Sequence, residues 1–391
     1  MHGAKVLDIT TAWAGPQAGC LLADLGCDVI HIDLPGSEGG SNFLPNLPGT
    51  QLSWTHQTVN RNKRSLTLDM RSPEGASLLL ELVSGIDIVL ENFKPGTLAR
   101  WGIGYEQCRA VKSDIVYVSI SGYGQYGPWS DLPGYDPAAL AMSGWMSLNG
   151  EPDGAPVKSP TFLADDLAGL HAALAAVAAL RHRDRTGEGQ HVDVSLLDSI
   201  LYQSCGFPTL AAMGYEFERL GNEVLPSVPA NSYRCSDELD VYIGVALDSH
   251  WKVLCEIIGR AKMANDPRYA TAAQRVVNRR EVNEALAAWF AEVPRAEALE
   301  RCAAAGLVIA PVNTFAEAVA TEHAAEREVL VDVELSDGSI APIVAPPTRF
   351  SRTRTTIRRR APRIGEDTDE ILRETGLDSA RIESLRSSGV I

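Results

Sequence analysis

The chain has 391 residues, of which 45% are hydrophobic and 22% charged. That composition predicts an ordered globular protein with about two cores and excludes a disordered or low-complexity chain. A formal charge of −15 and a pI near 5.0 exclude general attraction to nucleic acid or an anionic membrane, so any polyanionic ligand must meet a local basic patch.

The opening MHGAKVLDIT lacks the basic, apolar and small-residue segments of a signal peptide. Val6–Thr10 predicts a short strand, AGPQAGCLLADLG a helix with Pro16 near its start and Gly26 at its stop, and Asp28–Asp33 a second strand. Strand, helix and strand in about 30 residues form a βαβ unit with parallel pairing. A helix capped by Ser72 and Pro73 follows over 72–84, then buried strands at Ile86–Leu90 and Asp114–Ile120. The alternation predicts an α/β domain with an open, Rossmann-like parallel sheet. A long helix is expected at about 165–183, and RTGEGQ then turns the chain into HVDVSLL. The apolar run inside that helix, 167–180, is 14 residues, short of the ~20 that span a bilayer.

Beyond about 225 the pattern changes to a smaller α+β domain. NSYRCSDELDVYIGVAL predicts a hairpin, with helices at about 249–258, 280–292 and 294–305. Residues 331–345 hold a DG turn between two strands, and two short surface helices close the chain. The expected division is a large domain over 1–200 completed by 330–391, a small domain over 225–325, and linkers at 201–224 and 326–335.

The chemistry-bearing motifs are sparse. Seven cysteines are scattered with no CxxC spacing, which excludes a zinc framework, implies no metal site and points to a reducing cytoplasm. GYGQYG at 122–127 has the GxGxxG spacing, but Pro128 and a loop follow where a dinucleotide fingerprint opens a helix. His171, inside the apolar run, reads as a core histidine. The arginines between 349 and 363 read as a solvated strand or a subunit contact. NRNKRSLTLDMR (60–71) and ENFKPGTLAR (91–100) are the basic patches that a phosphorylated ligand would need. Asp165 and Asp166 stand at the head of the apolar helix. Either carboxylate could cap the helix, and a carboxylate held ionised there could equally be a nucleophile; the residues alone leave both readings open.

Taken in order, VLDITTAWAGPQAGCLLADLGCDVIHIDLPG, NRNKRSLTLDM, ENFKPGTLARWG, SGYGQYGP, PGYD, RTGEGQHVDVSLLD and PRIGEDTDEILRETGL resemble the family III CoA-transferases over nearly the whole chain. The resemblance implies that Asp165, aligned through Gly169 and His171, attacks an acyl-CoA thioester, and that Asp166 is the cap. It implies CoA contacts at Thr11, Ala12, Trp13, Ala14, Leu34, Leu68, Arg71, Asn92, Phe93, Lys94 and Arg100, and an acyl pocket shaped by Tyr135 and Asp136. Coenzyme A and acyl-CoA are then substrates, a carboxylic acid is the acceptor, and no cofactor is tightly bound. The expected assembly is an interlocked homodimer with no nucleic-acid or membrane partner. Leu34 and Trp13 depart from the formyl-CoA branch, and residues 225–270 lack its glycine-rich loop, which points away from oxalate and formate. The α-methylacyl-CoA racemases of the same family carry a histidine where this chain has Tyr135. A racemase is therefore the second reading, because tyrosine, with a pKa near 10, is a poor base. A non-catalytic CoA-binding protein is the third.

Overall fold

Short runs of β-branched and aliphatic residues between helices produce a six-stranded sheet. The structure, a computed structural model, describes Met1 and residues 3–37 and 42–391. The strands are β1 (Lys5–Asp8), β2 (Asp28–Asp33), β3 (Lys63–Thr67), β4 (Ile88–Glu91), β5 (Val116–Ser121) and β6 (Gln190–Ser195). They lie in the order β3-β2-β1-β4-β5-β6, with every pairing parallel. This is the strand order of a doubly wound fold. Such folds receive ligands beyond the carboxyl ends of the strands where the winding reverses, here between β1 and β4.

The helices, in chain order, are α1 (Ala14–Asp24), α2 (Trp54–Val59), α3 (Pro73–Val83), α4 (Thr97–Arg100), α5 (Tyr105–Val111), α6 (Asp136–Met142), α7 (Trp145–Leu148), α8 (Leu163–Thr186) and α9 (Leu196–Tyr202). Ser72 caps α3, its hydroxyl accepting from Gly75 N at 3.0 Å. Helices α1 and α8 pack together and cover one face of the sheet. The other face meets α3, α5 and the two C-terminal helices, Thr368–Glu374 and Ser379–Ser387, through a core that includes Leu7, Val89, Leu79, Tyr117, Ile371 and Leu385. The C-terminal helices are therefore anchored in the core by their apolar sides.

Helix α8 is 24 residues long and extends beyond the apolar run on both sides. By length and composition alone it could cross a membrane. It packs instead against α1, β5, β6 and α9, burying Ala168, Gly169, Ala172, Ala173, Ala176, Ala179 and Leu180. Leu170 and Leu174, 51% and 64% exposed, remain on its open side.

The chain forms two compact units: Met1–Trp145 with Lys158–Gly214 and Glu322–Ile391, and Met146–Val157 with Tyr215–Thr321. In the second, β7 (Ala230–Arg234), β8 (Asp240–Gly244) and β9 (Val308–Pro311) make an antiparallel sheet in that order. Helices Asp248–Ile257, Arg279–Phe290 and Arg295–Ala304 enclose a core built around Trp251, Leu254, Leu286 and Phe290. In the first unit, the DG turn joins the antiparallel pair β10 (Leu330–Glu334) and β11 (Ile340–Val344).

One sequence expectation is overturned here. NRNKRSLTLDMR is not a free basic patch, because its cations neutralise carboxylates of the same chain. Lys63, wholly buried on β3, donates to Asp8 Oδ2 at 2.8 Å, Pro16 O at 2.8 Å and Asn60 Oδ1 at 2.9 Å. Arg61 pairs with Asp24 at 2.7 Å and Arg64 with Asp28 at 2.6 Å. A buried charge needs such partners, since removing an isolated one from water costs several kcal/mol. Most of the C-terminal arginines are likewise held within the chain: Arg359 pairs with Asp367, Arg360 with Glu366, and Arg358 donates to Ala23 O.

Candidate active site

The loops that leave β1 and β4 flank the point where the winding reverses, and they are joined there. Asn92 Oδ1 accepts from Thr11 N at 2.8 Å, and Asn92 Nδ2 donates to Thr11 O at 2.7 Å. Glu91 Oε2 accepts from Phe93 N at 2.8 Å, which fixes the next peptide. Ala12 is held at φ 64°, a left-handed conformation rare for a residue with a Cβ and frequent at functional sites. Thr11–Ala14, Leu34, Leu68–Arg71 and Asn92–Lys94 thus follow the carboxyl ends of β1, β2, β3 and β4 respectively. Arg71 is exposed and pairs with Asp69 at 2.7 Å. Lys94 is exposed beside Asp131 at 3.5 Å, and Arg100 Nη2 donates to Thr97 Oγ1 at 2.9 Å.

The head of α8 lies next to the β1 loop. Trp13 Nε1 donates to Asp166 Oδ1 at 2.6 Å. Its ring stands 5.5 Å from that of Trp54 and 5.2 Å from that of Phe162. The close approach of α1 and α8 requires Gly169, where a Cβ would fall 2.7 Å from Ala14 O and 2.8 Å from Gln17 Oε1.

Two expectations about the aspartates are corrected. Asp166 is not the cap. Phe162 occupies the N-cap position without a side-chain bond, and Asp136, 28 residues upstream on α6, accepts from Ala164 N at 2.7 Å. Nor does the helix end keep Asp165 fully ionised at neutral pH. Burial first, then the nearby charges of Asp136 and Asp166, push its carboxyl up to about 7. Burial also raises Asp166, opposed by hydrogen bonds from Trp13 and Gln17. It raises Asp136 too, opposed by the N–H groups of Ala164 and Asp165. Three carboxylates thus share one shielded corner, where burial first and their mutual repulsion second set the protonation of Asp165.

The structure therefore brings Thr11, Ala12, Trp13, Ala14, Asp136 and Asp165 to the carboxyl end of the sheet beside Asn92 and Phe93. Tyr135 stands 74% exposed at the start of α6. His171 is half-buried on the flank of α8, its ring edge-on to Tyr202 at 5.6 Å and 3.2 Å from Gln203 Nε2; it is not a core histidine. Gln17, Trp54 and Phe162 were missed by sequence reasoning. Gln17 was legible as the residue one helical turn after Trp13, whereas Trp54 and Phe162 carry no local signal.

With this geometry in view, comparison with known proteins is decisive. Residues 1–368 match the model of CoA-transferase family III. A succinate–glutarate CoA-transferase of Agrobacterium fabrum is 35% identical over 96% of this chain and 95% of its own. The beta subunit of a succinyl-CoA–L-malate CoA-transferase of Chloroflexus aurantiacus is 35% identical over 100% of this chain and 98% of its own. The crystal structure of a CAIB/BAIF family protein from Brucella suis superposes with a TM-score of 0.84 at 33% identity, covering 96% of this chain and 98% of that one. A doubly wound sheet with a carboxylate cluster beyond its carboxyl edge has the layout of an α/β enzyme. The chain belongs to CoA-transferase family III and is a CoA-transferase, with CoA thioesters as its substrates.

Proposed function

We propose that this enzyme moves CoA from an acyl-CoA donor to a free carboxylic acid through covalent intermediates on Asp165. The ionised Asp165 carboxylate attacks the thioester carbonyl. The C–S bond breaks, giving an acyl–aspartyl anhydride and CoA thiolate. The thiolate attacks the aspartyl carbonyl, releasing the donor acid as its carboxylate and leaving an aspartyl–CoA thioester. An acceptor carboxylate attacks that thioester and its C–S bond breaks, giving an acceptor–aspartyl anhydride and CoA thiolate; the thiolate then attacks the acceptor carbonyl, forming the product thioester and releasing the Asp165 carboxylate. Each step exchanges one activated acyl bond for another, so the sequence calls for no metal, ATP or tightly bound cofactor.

The observation that carries this reading is the position of Asp165 at the head of α8, beside the β1 loop. That corner is shielded enough to raise its carboxyl, and shielding protects hydrolysable intermediates from water. In this reading Thr11–Ala14 face the thiol end of CoA, and Leu34, Leu68 and Arg71 the adenosine. Asn92, Phe93, Lys94 and Arg100 hold the nucleotide and phosphates, and Tyr135 and Asp136 border the acyl group. The names of the relatives support short dicarboxylic acids and their CoA esters as first substrates to assay. We also propose a homodimer, interlocked as expected for the family. It is supported by the open side of α8, where Leu170 and Leu174 lie exposed, and by exposed Tyr202 and Met213 in the segment that follows. A cytoplasmic location agrees with seven free cysteines.

Hydroxylamine added during turnover of succinyl-CoA with glutarate should convert Asp165 to a hydroxamate, detected by peptide mass spectrometry. Turnover with Asp165 unmodified would sink the covalent route. Light scattering coupled to size exclusion should give twice the 42.1 kDa chain mass; a monomer would refute the dimer.

A further inference from the structure

The loop between β1 and α1 carries the strained Ala12 and Trp13, and a buried ionic cluster lies behind it. At its centre is Asp8, the last residue of β1, with Lys63 of β3 and His31 of β2. Asp8 and Lys63 are wholly buried, and His31 is buried beside them. Asp8 Oδ2 accepts from Lys63 Nζ at 2.8 Å and stands 3.2 Å from His31 Nδ1, while Asp33 Oδ1 lies 3.6 Å from His31 Nε2. Burial opposes the Asp8 charge, but Lys63 and then His31 outweigh it and hold the carboxyl well below its ordinary range. An ion pair this deep is a poor way to gain stability, since well-packed apolar side chains of similar volume often do as well or better. Its value lies in what its remaining hydrogen bonds hold.

Those bonds grip both ends of the loop. Asp8 Oδ1 accepts from Thr10 N at 3.1 Å and from the Thr10 hydroxyl, which fixes the residue that opens the loop. Lys63 Nζ donates to Pro16 O at 2.8 Å, which fixes the first turn of α1. The two ends also touch: a Cβ on Gly15 would fall 2.3 Å from Thr10 Cβ. Between them Ala12 is held at φ 64°, and a residue with a Cβ keeps that conformation only where its surroundings over-determine it. Trp13 comes next, and its indole donates to Asp166 beside Asp165. A slackened loop would move that indole away from the head of α8.

We propose that Asp8 and Lys63 are positioning residues for CoA transfer: their ion pair ties Thr10 to Pro16 and so holds the β1 loop, with Trp13, in the geometry that the thioester meets. Both are too deeply buried to touch substrate, so their effect passes through the loop. His31 braces Asp8 from β2. The proposal rests on the reading that this loop faces the thiol end of CoA beside Asp165.

Thr10→Val removes the hydroxyl at nearly constant volume, Thr10→Ser retains it, and Lys63→Met removes the cation. Hydrogen exchange of the resting enzyme, read by mass spectrometry, should be faster across 10–17 in Thr10→Val and Lys63→Met, with β4 and β5 as protected as in the parent. In transfer from succinyl-CoA to glutarate, assayed well below each melting temperature, both should lower kcat about tenfold with KM for succinyl-CoA within about twofold, and Thr10→Ser should stay near the parent. Loss of packing alone would lower the melting temperature and leave kcat in place. Parent-like exchange across 10–17, a parent-like kcat in variants that exchange faster, or a Thr10→Ser enzyme as slow as Thr10→Val would each overturn the proposal. Should Lys63→Met not fold, the Thr10 pair decides. Hydroxylamine labelling of the parent is scored separately: an unlabelled Asp165 refutes the covalent route, while exchange and kcat still judge the clamp.

Discussion

Asp165 carries its own test in its protonation. An acid raised to about 7 is only half ionised at neutral pH, so acyl-enzyme formation should rise with pH and level off above about 7; stopped-flow release of CoA thiol measures it. The same shift predicts stability. Below pH ~4 the group is protonated both folded and unfolded and costs nothing. Between ~4 and ~7 only the unfolded chain ionises freely, and the cost grows. Above ~7 it is complete, at about 2–4 kcal/mol. Asp165→Asn should therefore melt higher than the parent at pH 8 and level with it at pH 4. Trp13→Phe keeps the contacts with Trp54 and Phe162 but removes the N–H that holds Asp166. It should lower kcat about tenfold and stability by about 1 kcal/mol, with little change in KM for CoA. The Asp165–Asp166 pair was legible in the sequence as a site of either capping or chemistry. Their division of labour was not, because the group that caps α8 comes from α6.

At the scale of elements, the head of α8 is assembled from three separate pieces: α8 itself, the start of α1, and α6. Asp136→Ala removes both the cap on Ala164 N and a charge beside Asp165. It should cost about 1 kcal/mol of stability and move the pH midpoint of acyl-enzyme formation downward, whereas loss of a cap alone would leave that midpoint unchanged. Gly169→Ala places a methyl 2.7 Å from Ala14 O, which backbone cannot easily yield. It should cost about 1–3 kcal/mol and impair turnover by shifting Trp13 against Asp166, read by thermal melts and steady-state kinetics. Elements with local signals were legible: β1, α1, β2, the Ser72-capped α3 and the DG hairpin all stand within a few residues of expectation. Strand β3 was not. KRSLT reads as part of a basic patch, whereas Lys63 is buried because Asp8, 55 residues earlier, neutralises it, with Pro16 O and Asn60 Oδ1 accepting its other protons.

For the molecule as a whole, an acidic chain that binds an anionic thioester must keep some cations at its surface. Lys63, Arg61 and Arg64 are spent inside the fold, leaving Lys94 beside the switch point, exposed and held only by a 3.5 Å surface pair with Asp131, as the plainest electrostatic contact for a phosphate. Lys94→Ala should raise KM for CoA several-fold and flatten its dependence on salt, with kcat unchanged, in assays across an ionic-strength series. The overall class, a Rossmann-like parallel sheet with a second unit, follows from the alternation of short apolar runs and helices. The small unit's inclusion of 146–157 was invisible, because no compositional break marks where the chain leaves one unit for the other.

The joining of distant segments also has a consequence for synthesis. Asn62 Oδ1 accepts from the backbone of Arg358 and Arg359, 296 and 297 residues later, and Val390 O accepts from Asp69 N at 2.7 Å. At ribosomal speeds of about 5–20 residues per second, the β3 edge waits roughly 15–60 s for the segment that seals it. Throughout that interval the nascent chain presents an open strand edge and an uncovered apolar face, where Ile371, Leu372, Ile382 and Leu385 will later insert. The vulnerable period of this enzyme is thus its own translation, with the last thirty or so residues serving as the closure that ends it.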